Sequence, residues 1–257
     1  VRLVVDDEGV LEPEEVRKMM DVWAAPDSCP PAALPPSWRS KVDPSSHLKS
    51  DISNLKCAES ARNRAIIALL ATTGLRQIEA WRADVEDLQT MEGTRVLIVQ
   101  GKGEEDKNNF VVIGDEAWAY LREWLKARER VIGGRWQVEA RGHLPSPTTH
   151  NPPPCPALFV TCGQRSYGRQ MTRVALRWVL SESIRRAGLK DTGKRVSGHS
   201  LRHTFVTTYL QGGGNLLKAQ EAARHADPAT TQVYMDKLDR LKDPPEKAVS
   251  RAILKSS

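Results

Sequence analysis

Proline placement constrains this chain more than any other feature. Ten of its 16 prolines fall in two clusters. The first holds Pro30, Pro31, Pro35 and Pro36; the second holds Pro145, Pro147, Pro152, Pro153, Pro154 and Pro156, after Gly133-Gly134. Proline lacks the backbone donor and clashes with the preceding helical turn. Neither stretch can therefore sustain a helix or a central strand, and both are expected as surface loops. On this basis 133–157 is a long loop insertion, and regular structure is confined to the segments around the two loops. A chain of 257 residues holds one or two domains; with no internal repeat visible, the expectation is a single domain over 1–257.

Between the loops the periodicity is mainly helical. Val16, Met19, Met20 and Trp23 recur at i, i+3, i+4 and i+7 after Glu12-Pro13-Glu14-Glu15. Ile66, Ile67, Leu69 and Leu70 mark a helix over 58–73 that Gly74 should end. The period then changes. Arg95–Val99 and Phe110–Ile113 are β-branched runs flanking Gly101-Lys102-Gly103, which predicts a hairpin. Helices follow at about 115–131, 170–187, 200–210, 215–224 and 228–235, with Asp115 and Asp227 at N-cap positions and Gly188 past a helix end. The predicted class is mainly α with a small antiparallel β-sheet (α+β). Trp118 and Trp178 lie in helical stripes and are expected in the core.

Composition narrows the function classes. With 40% apolar residues a sizeable core is within reach, which excludes a disordered chain. No apolar run approaches the roughly 18 residues of a membrane helix. A net charge of +6 favours polyanionic partners. Cys29, Cys57, Cys155 and Cys162 are widely spaced with no Cys-x-x-Cys, and are expected as free thiols in a reducing compartment. No Asp/Glu/His cluster has metal-ligand spacing, so neither metal nor cofactor is expected. The chain starts at Val1 without a signal-peptide pattern, and its N-terminal part is expected to have been left out.

Several short features carry potential chemistry, and each also has a plain reading. Arg76 follows a helix stop with Glu79 three residues on, which also describes a surface ion pair. Lys102 between two glycines suits an ordinary solvated turn. His199 and Arg202 share a helical face, as in any capped helix with a polar side. His225 could be a helix-end histidine, and Tyr234 a core tyrosine.

The order of these features is more telling than any one of them. Thr73-Gly74-Leu75-Arg76-Gln77-Ile78-Glu79, a hairpin lysine, His199-Ser200-Leu201-Arg202-His203-Thr204-Phe205, and His225-Ala226-Asp227-Pro228-Ala229-Thr230-Thr231-Gln232-Val233-Tyr234 occur in sequence. This set resembles the catalytic domain of the tyrosine recombinase (phage integrase) family, over nearly the whole chain from the helix beginning at Leu11 to Tyr234. The resemblance implies a site-specific DNA recombinase that cuts and rejoins strands through a 3′-phosphotyrosine. It implies that Arg76 and Arg202 hold the phosphate, that Tyr234 is the nucleophile and that Lys102 is the general acid to the 5′-oxygen. His199 would then be the base-side group, His225 a phosphate donor, and Glu79 the residue orienting the arginines. The chemistry suits the residue types. Guanidiniums stay ionised and stabilise charge growing on phosphate oxygens, and a covalent ester conserves bond energy for rejoining without ATP.

Some positions depart from the family pattern. Glu104, Glu105 and Asp106 follow the glycines where Lys and Arg are usual, and Ala223-Arg224 replaces the usual Leu-Gly before the histidine. The helical core-binding domain that normally comes first is not in this sequence. The implied partner is double-stranded DNA, in the cytoplasm at the nucleoid. Self-association on DNA is expected through the 244–257 tail, where Ala248, Val249, Ala252 and Ile253 form a narrow apolar stripe after Asp243-Pro244-Pro245. A type IB topoisomerase-like enzyme that nicks and reseals one duplex is an alternative, as is a DNA-binding module without catalysis.

Overall fold

A three-strand meander and seven helices account for the residues described in the computed structural model: 10–24, 44–101, 106–141, 155–162, 168–189 and 197–224, with backbone alone along 44–55 and 133–141. The expected hairpin pairs β2 (Thr94–Val99) with β3 (Asn109–Val112) in antiparallel register, Leu97 facing Val111. A further strand, β1 (Leu88–Met91), adds to the other edge of β2. The turn between β1 and β2 has positive φ at both Glu92 and Gly93, 49° and 78°, a two-residue geometry that matches the strands' right-handed twist. β1 escaped the sequence reading because only Leu88 of its four residues is even partly covered, so no apolar alternation marks it.

The core lies between the sheet and the long helices. Ile66, Ile67, Leu69 and Leu70 of α2 (Pro44–Thr73) and Leu121 and Trp124 of α4 (Asp115–Arg141) are buried in one cluster with Leu97, Val99 and Val111. Burying each such side chain stabilises the fold by about 1.5–3 kcal/mol. Trp124 also donates its indole N–H to the Leu158 carbonyl at 2.9 Å, so its polar atom is satisfied in the core. α1 (Pro13–Asp21) is stitched across two helices: the Leu11 N–H donates to Thr204 Oγ1 of α6 (Gly198–Gln211) at 2.8 Å. The Trp23 indole donates to Ser183 Oγ of α5 (Arg173–Arg186) at 2.7 Å.

Four expectations need correction. α2 starts at Pro44, 14 residues before the apolar pattern begins, with proline at the helix start where its missing N–H is harmless. α4 continues through Gly133-Gly134 to Arg141, so 133–141 is helix and not loop. Two glycines each cost a helix only about 1 kcal/mol, and the Arg135–Arg141 run is free of breakers. Residues 142–154 and the first proline cluster lie outside the described residues. Pro156 is bound into the fold, its carbonyl accepting from the Val85 N–H at 2.9 Å.

Trp178 is 50% exposed, because α5 buries Leu176, Val179, Leu180 and Ile184 and turns Val174 and Trp178 away. Trp118 is partly covered and packs against the core, as expected. Cys155 and Cys162 are free, and burial pushes the Cys162 thiol up to about 11. Cys57, by contrast, is disulfide-bonded, so the expectation of four free thiols fails there.

Candidate active site

The α2 helix stops at Gly74, and that stop builds the site. Gly74 has φ +61°, which L-residues rarely adopt, and a Cβ there would press on the Phe205 ring of α6 at 2.6 Å. Only glycine allows both the turn and the close approach of α6. Arg76 then becomes the N-cap of α3 (Gln77–Arg82). Its backbone N–H, which the helix leaves without a partner, donates to Glu79 Oε2 at 2.9 Å, while its guanidinium Nη1 donates to Glu79 Oε1 at 2.8 Å.

The second helix start abuts the first. A Cβ at Gly198 would collide with the end of the Gln77 side chain, so the start of α6 lies directly against that of α3. The Ser197 hydroxyl caps α6 by accepting from the His199 N–H at 3.2 Å. His199 is thereby exposed in the first turn, and Arg202 points inward one turn later at 6% exposure. Arg202 Nη1 donates to the Gly74 carbonyl at 2.8 Å, two residues before Arg76. Arg76, Glu79 and Arg202 thus come together in one place in the fold, with His199 exposed in the first turn of α6.

A third guanidinium joins them. Arg224 ends α7 (Leu216–Ala223), and its Nη2 donates to Glu79 Oε2 at 2.7 Å. Its backbone carbonyl accepts from Arg76 Nη2 at 3.0 Å. Glu79 is 1% exposed. Burial alone would push its carboxyl up, but the Arg224 guanidinium, followed by the Arg76 N–H and guanidinium, holds it below the ordinary 4.5. Arg202 is pushed down to about 10, first by burial and then by the charges of Arg76 and Arg224, with Glu79 opposing. It remains a cation at neutral pH. Three guanidiniums around one carboxylate leave two positive charges in surplus, which is a site for an anion.

Arg224 is the residue that sequence reasoning did not assign, having marked it only as a departure from pattern. No local signal gives an arginine at a helix end a carboxylate 145 positions away. Lys102, His225 and Tyr234 lie outside the described residues. Lys107, the other lysine after the glycine pair, is held elsewhere. Its Nζ donates to Asp84 Oδ2 at 2.9 Å and to Asp87 Oδ2 at 2.6 Å. Burial lowers its pKa, but the two carboxylates outweigh it and the net shift is upward.

A model of the phage integrase family matches residues 48–240, three quarters of the chain. The chain belongs to the phage integrase family. Among its relatives, the tyrosine recombinase XerD of Oceanobacillus iheyensis is 35% identical over 176 residues, covering 68% of this chain and 50% of that protein. XerD of Mycobacterium leprae is 34% identical over 173 residues, covering 67% of this chain and 47% of that protein. This family member thus spans about half the length of the curated relatives it matches. Its fold is shared with XerH site-specific recombinase, solved in a post-cleavage complex with palindromic difH substrate. That match has TM-score 0.57 at 22% identity and covers 97% of this chain and 54% of that one. XerA recombinase also shares the fold, with TM-score 0.54 at 18% identity, covering 91% of this chain and 65% of that one. The expected class, mainly α with a small antiparallel sheet, is the observed one.

Proposed function

We propose that this chain is the catalytic half of a site-specific DNA recombinase that cleaves and rejoins strands through a 3′-phosphotyrosine at Tyr234. The observation that carries the proposal is the surplus-positive cluster, in which Arg76 binds the buried Glu79 at the start of α3 and Arg202 of the abutting α6 binds the Gly74 carbonyl beside it. A phosphodiester is a monoanion whose non-bridging oxygens gain charge as it is attacked. Fixed guanidiniums in a partly dry pocket stabilise that charge without reorganising. Glu79 sets the pose of Arg76 by binding both its backbone and its guanidinium.

The step balances without a cofactor. The Tyr234 phenol oxygen bonds to phosphorus while the bond to the 5′-oxygen breaks. His199 takes the phenol proton and Lys102 supplies one to the departing 5′-oxygen. Attack by a 5′-hydroxyl in the reverse sense rejoins a strand and frees the tyrosine. The engagement of Lys107 by Asp84 and Asp87 supports Lys102 as the lysine available for this role. Double-stranded DNA is the partner, and the 244–257 tail is proposed to link protomers on it.

The test is incubation of the full-length protein with a nicked suicide DNA duplex. A covalent protein–DNA adduct should form in EDTA, and Tyr234→Phe should abolish it while leaving DNA binding intact. An undiminished adduct in that variant would overturn the assignment.

A further inference from the structure

We propose that Arg224 is a positioning residue of strand cleavage, clamping the end of α7, and with it the start of the segment leading to His225 and Tyr234, onto the Arg76–Glu79 pair. The proposal rests on the reading of Tyr234 as nucleophile.

The geometry of Arg224 is unusual on two counts. Its backbone sits at φ 51°, ψ 48°, a left-handed conformation that glycine takes without steric cost and a side-chain-bearing residue does not. Apart from Glu92 in the β-turn, it is the sole non-glycine among the described residues with positive φ. An arginine is held in this conformation because its side chain is held too. The side chain is 11% exposed and reaches Glu79 at 2.7 Å, with Nη1 on the Ala222 carbonyl at 2.9 Å.

The contact closes a ring. Arg76 Nη1 binds Glu79 Oε1, Arg76 Nη2 binds the Arg224 carbonyl, and Arg224 Nη2 binds Glu79 Oε2, all within 2.7–3.0 Å. The backbone and side chain of one residue are thus both fastened to α3. Little else does this. The apolar cluster under α7 holds Val206, Leu210, Ala219 and Ala223, with Phe205 and Leu216 beside it, so it fastens α7 to α6 and not to α3. His225 is the next residue and Tyr234 follows ten positions after Arg224 (234 − 224 = 10). The ring therefore fixes where the nucleophile's segment leaves the phosphate-binding arginines. In-line attack is sensitive to that placement, because a shift of about 1 Å can cost roughly 100-fold in rate.

A purely structural role and a positioning role separate on the acid limb of the pH profile. The charged groups around Glu79 are Arg76 from the start of α3, Arg202 from α6 and Arg224 from the end of α7. Removing Arg224 takes away the strongest of the charges holding the carboxylate ionised, so loss of activity on acidification should begin at a higher pH. The experiment compares wild type with Arg224→Gly, Arg224→Met and Arg224→Lys in single-turnover adduct formation on the suicide duplex.

Arg224→Gly and Arg224→Met should slow adduct formation by roughly 10- to 100-fold and move the acid limb upward. Arg224→Lys, which keeps a cation near Glu79, should recover part of the rate. Wild-type rates and an unmoved acid limb in Arg224→Gly and Arg224→Met would overturn the proposal, and Arg224→Met decides if the glycine variant folds poorly. If wild type forms no adduct, the recombinase reading fails, and hydrogen exchange then decides the clamp separately. Faster exchange of the α7 amides in Arg224→Met, with α2 and α4 unchanged, supports it; unchanged α7 exchange overturns it.

Discussion

The two apolar clusters of this molecule are held together by different physics. The large one joins α1, α2, α4, α5 and the sheet through side chains such as Leu70, Leu121 and Trp124, all at 0% exposure. The small one joins α6 to α7 through four residues, two of them alanines. Beyond that cluster, α7 is fastened by the ion pair and carbonyl contact of Arg224. Apolar burial is non-directional and makes a rigid frame. Charge-assisted hydrogen bonds are directional and set the pose of Arg76, Glu79 and Arg224. Stability and site geometry are thus concentrated in different parts of the same domain, and substitutions should separate them.

The largest effect on stability belongs to the frame. Leu121→Ala should lower the unfolding free energy by about 2–5 kcal/mol, measured by urea denaturation, with the site chemistry intact in whatever remains folded. A loss below 1 kcal/mol would mean that the two clusters are not so different. Arg202→Ala is the converse. It should cut single-turnover cleavage by roughly 100- to 1,000-fold, about 2.7–4 kcal/mol of transition-state stabilisation. The urea midpoint should move far less than it does for Leu121→Ala. An equal loss of both would place Arg202 in the frame.

The smallest effect is a pH dependence. The Glu79 carboxyl lies below 4.5 in the fold, so its contribution to stability is fully present above that pH and is lost as pH falls through the folded value. Glu79→Gln should accordingly flatten the stability–pH curve below about 4.5, measured by urea midpoints from pH 6 to 3. An unchanged acid slope would show that Glu79 is not the group titrating.

Much of this division was legible in the sequence, though unevenly. The stripe Val16, Met19, Met20, Trp23 and the run Ile66–Leu70 announced the frame, because apolar period 3.6 survives any tertiary context. Gly74 and the spacing of Arg76, Glu79, His199 and Arg202 announced half of the site, since capping and helical spacing are local. β1 was hidden because its residues are mostly exposed and exist as a strand only by pairing with β2. The continuation of α4 past Gly133-Gly134 was hidden because propensity is a weak prior that a long helix overrides. Arg224 was hidden for a third reason. Its meaning depends on a carboxylate on another helix, and a residue that breaks the expected pattern carries no label for what replaces it.

The central claim is that the arginine cluster presents a phosphodiester to Tyr234. The direct measurement is proteolysis of the trapped wild-type protein–DNA adduct, followed by mass spectrometry of the nucleotide-bearing peptide. The account predicts a 3′-phosphate ester on Tyr234, formed in EDTA and missing in Arg202→Ala. Attachment at any other residue, or an adduct that Arg202→Ala forms as readily as wild type, would contradict it.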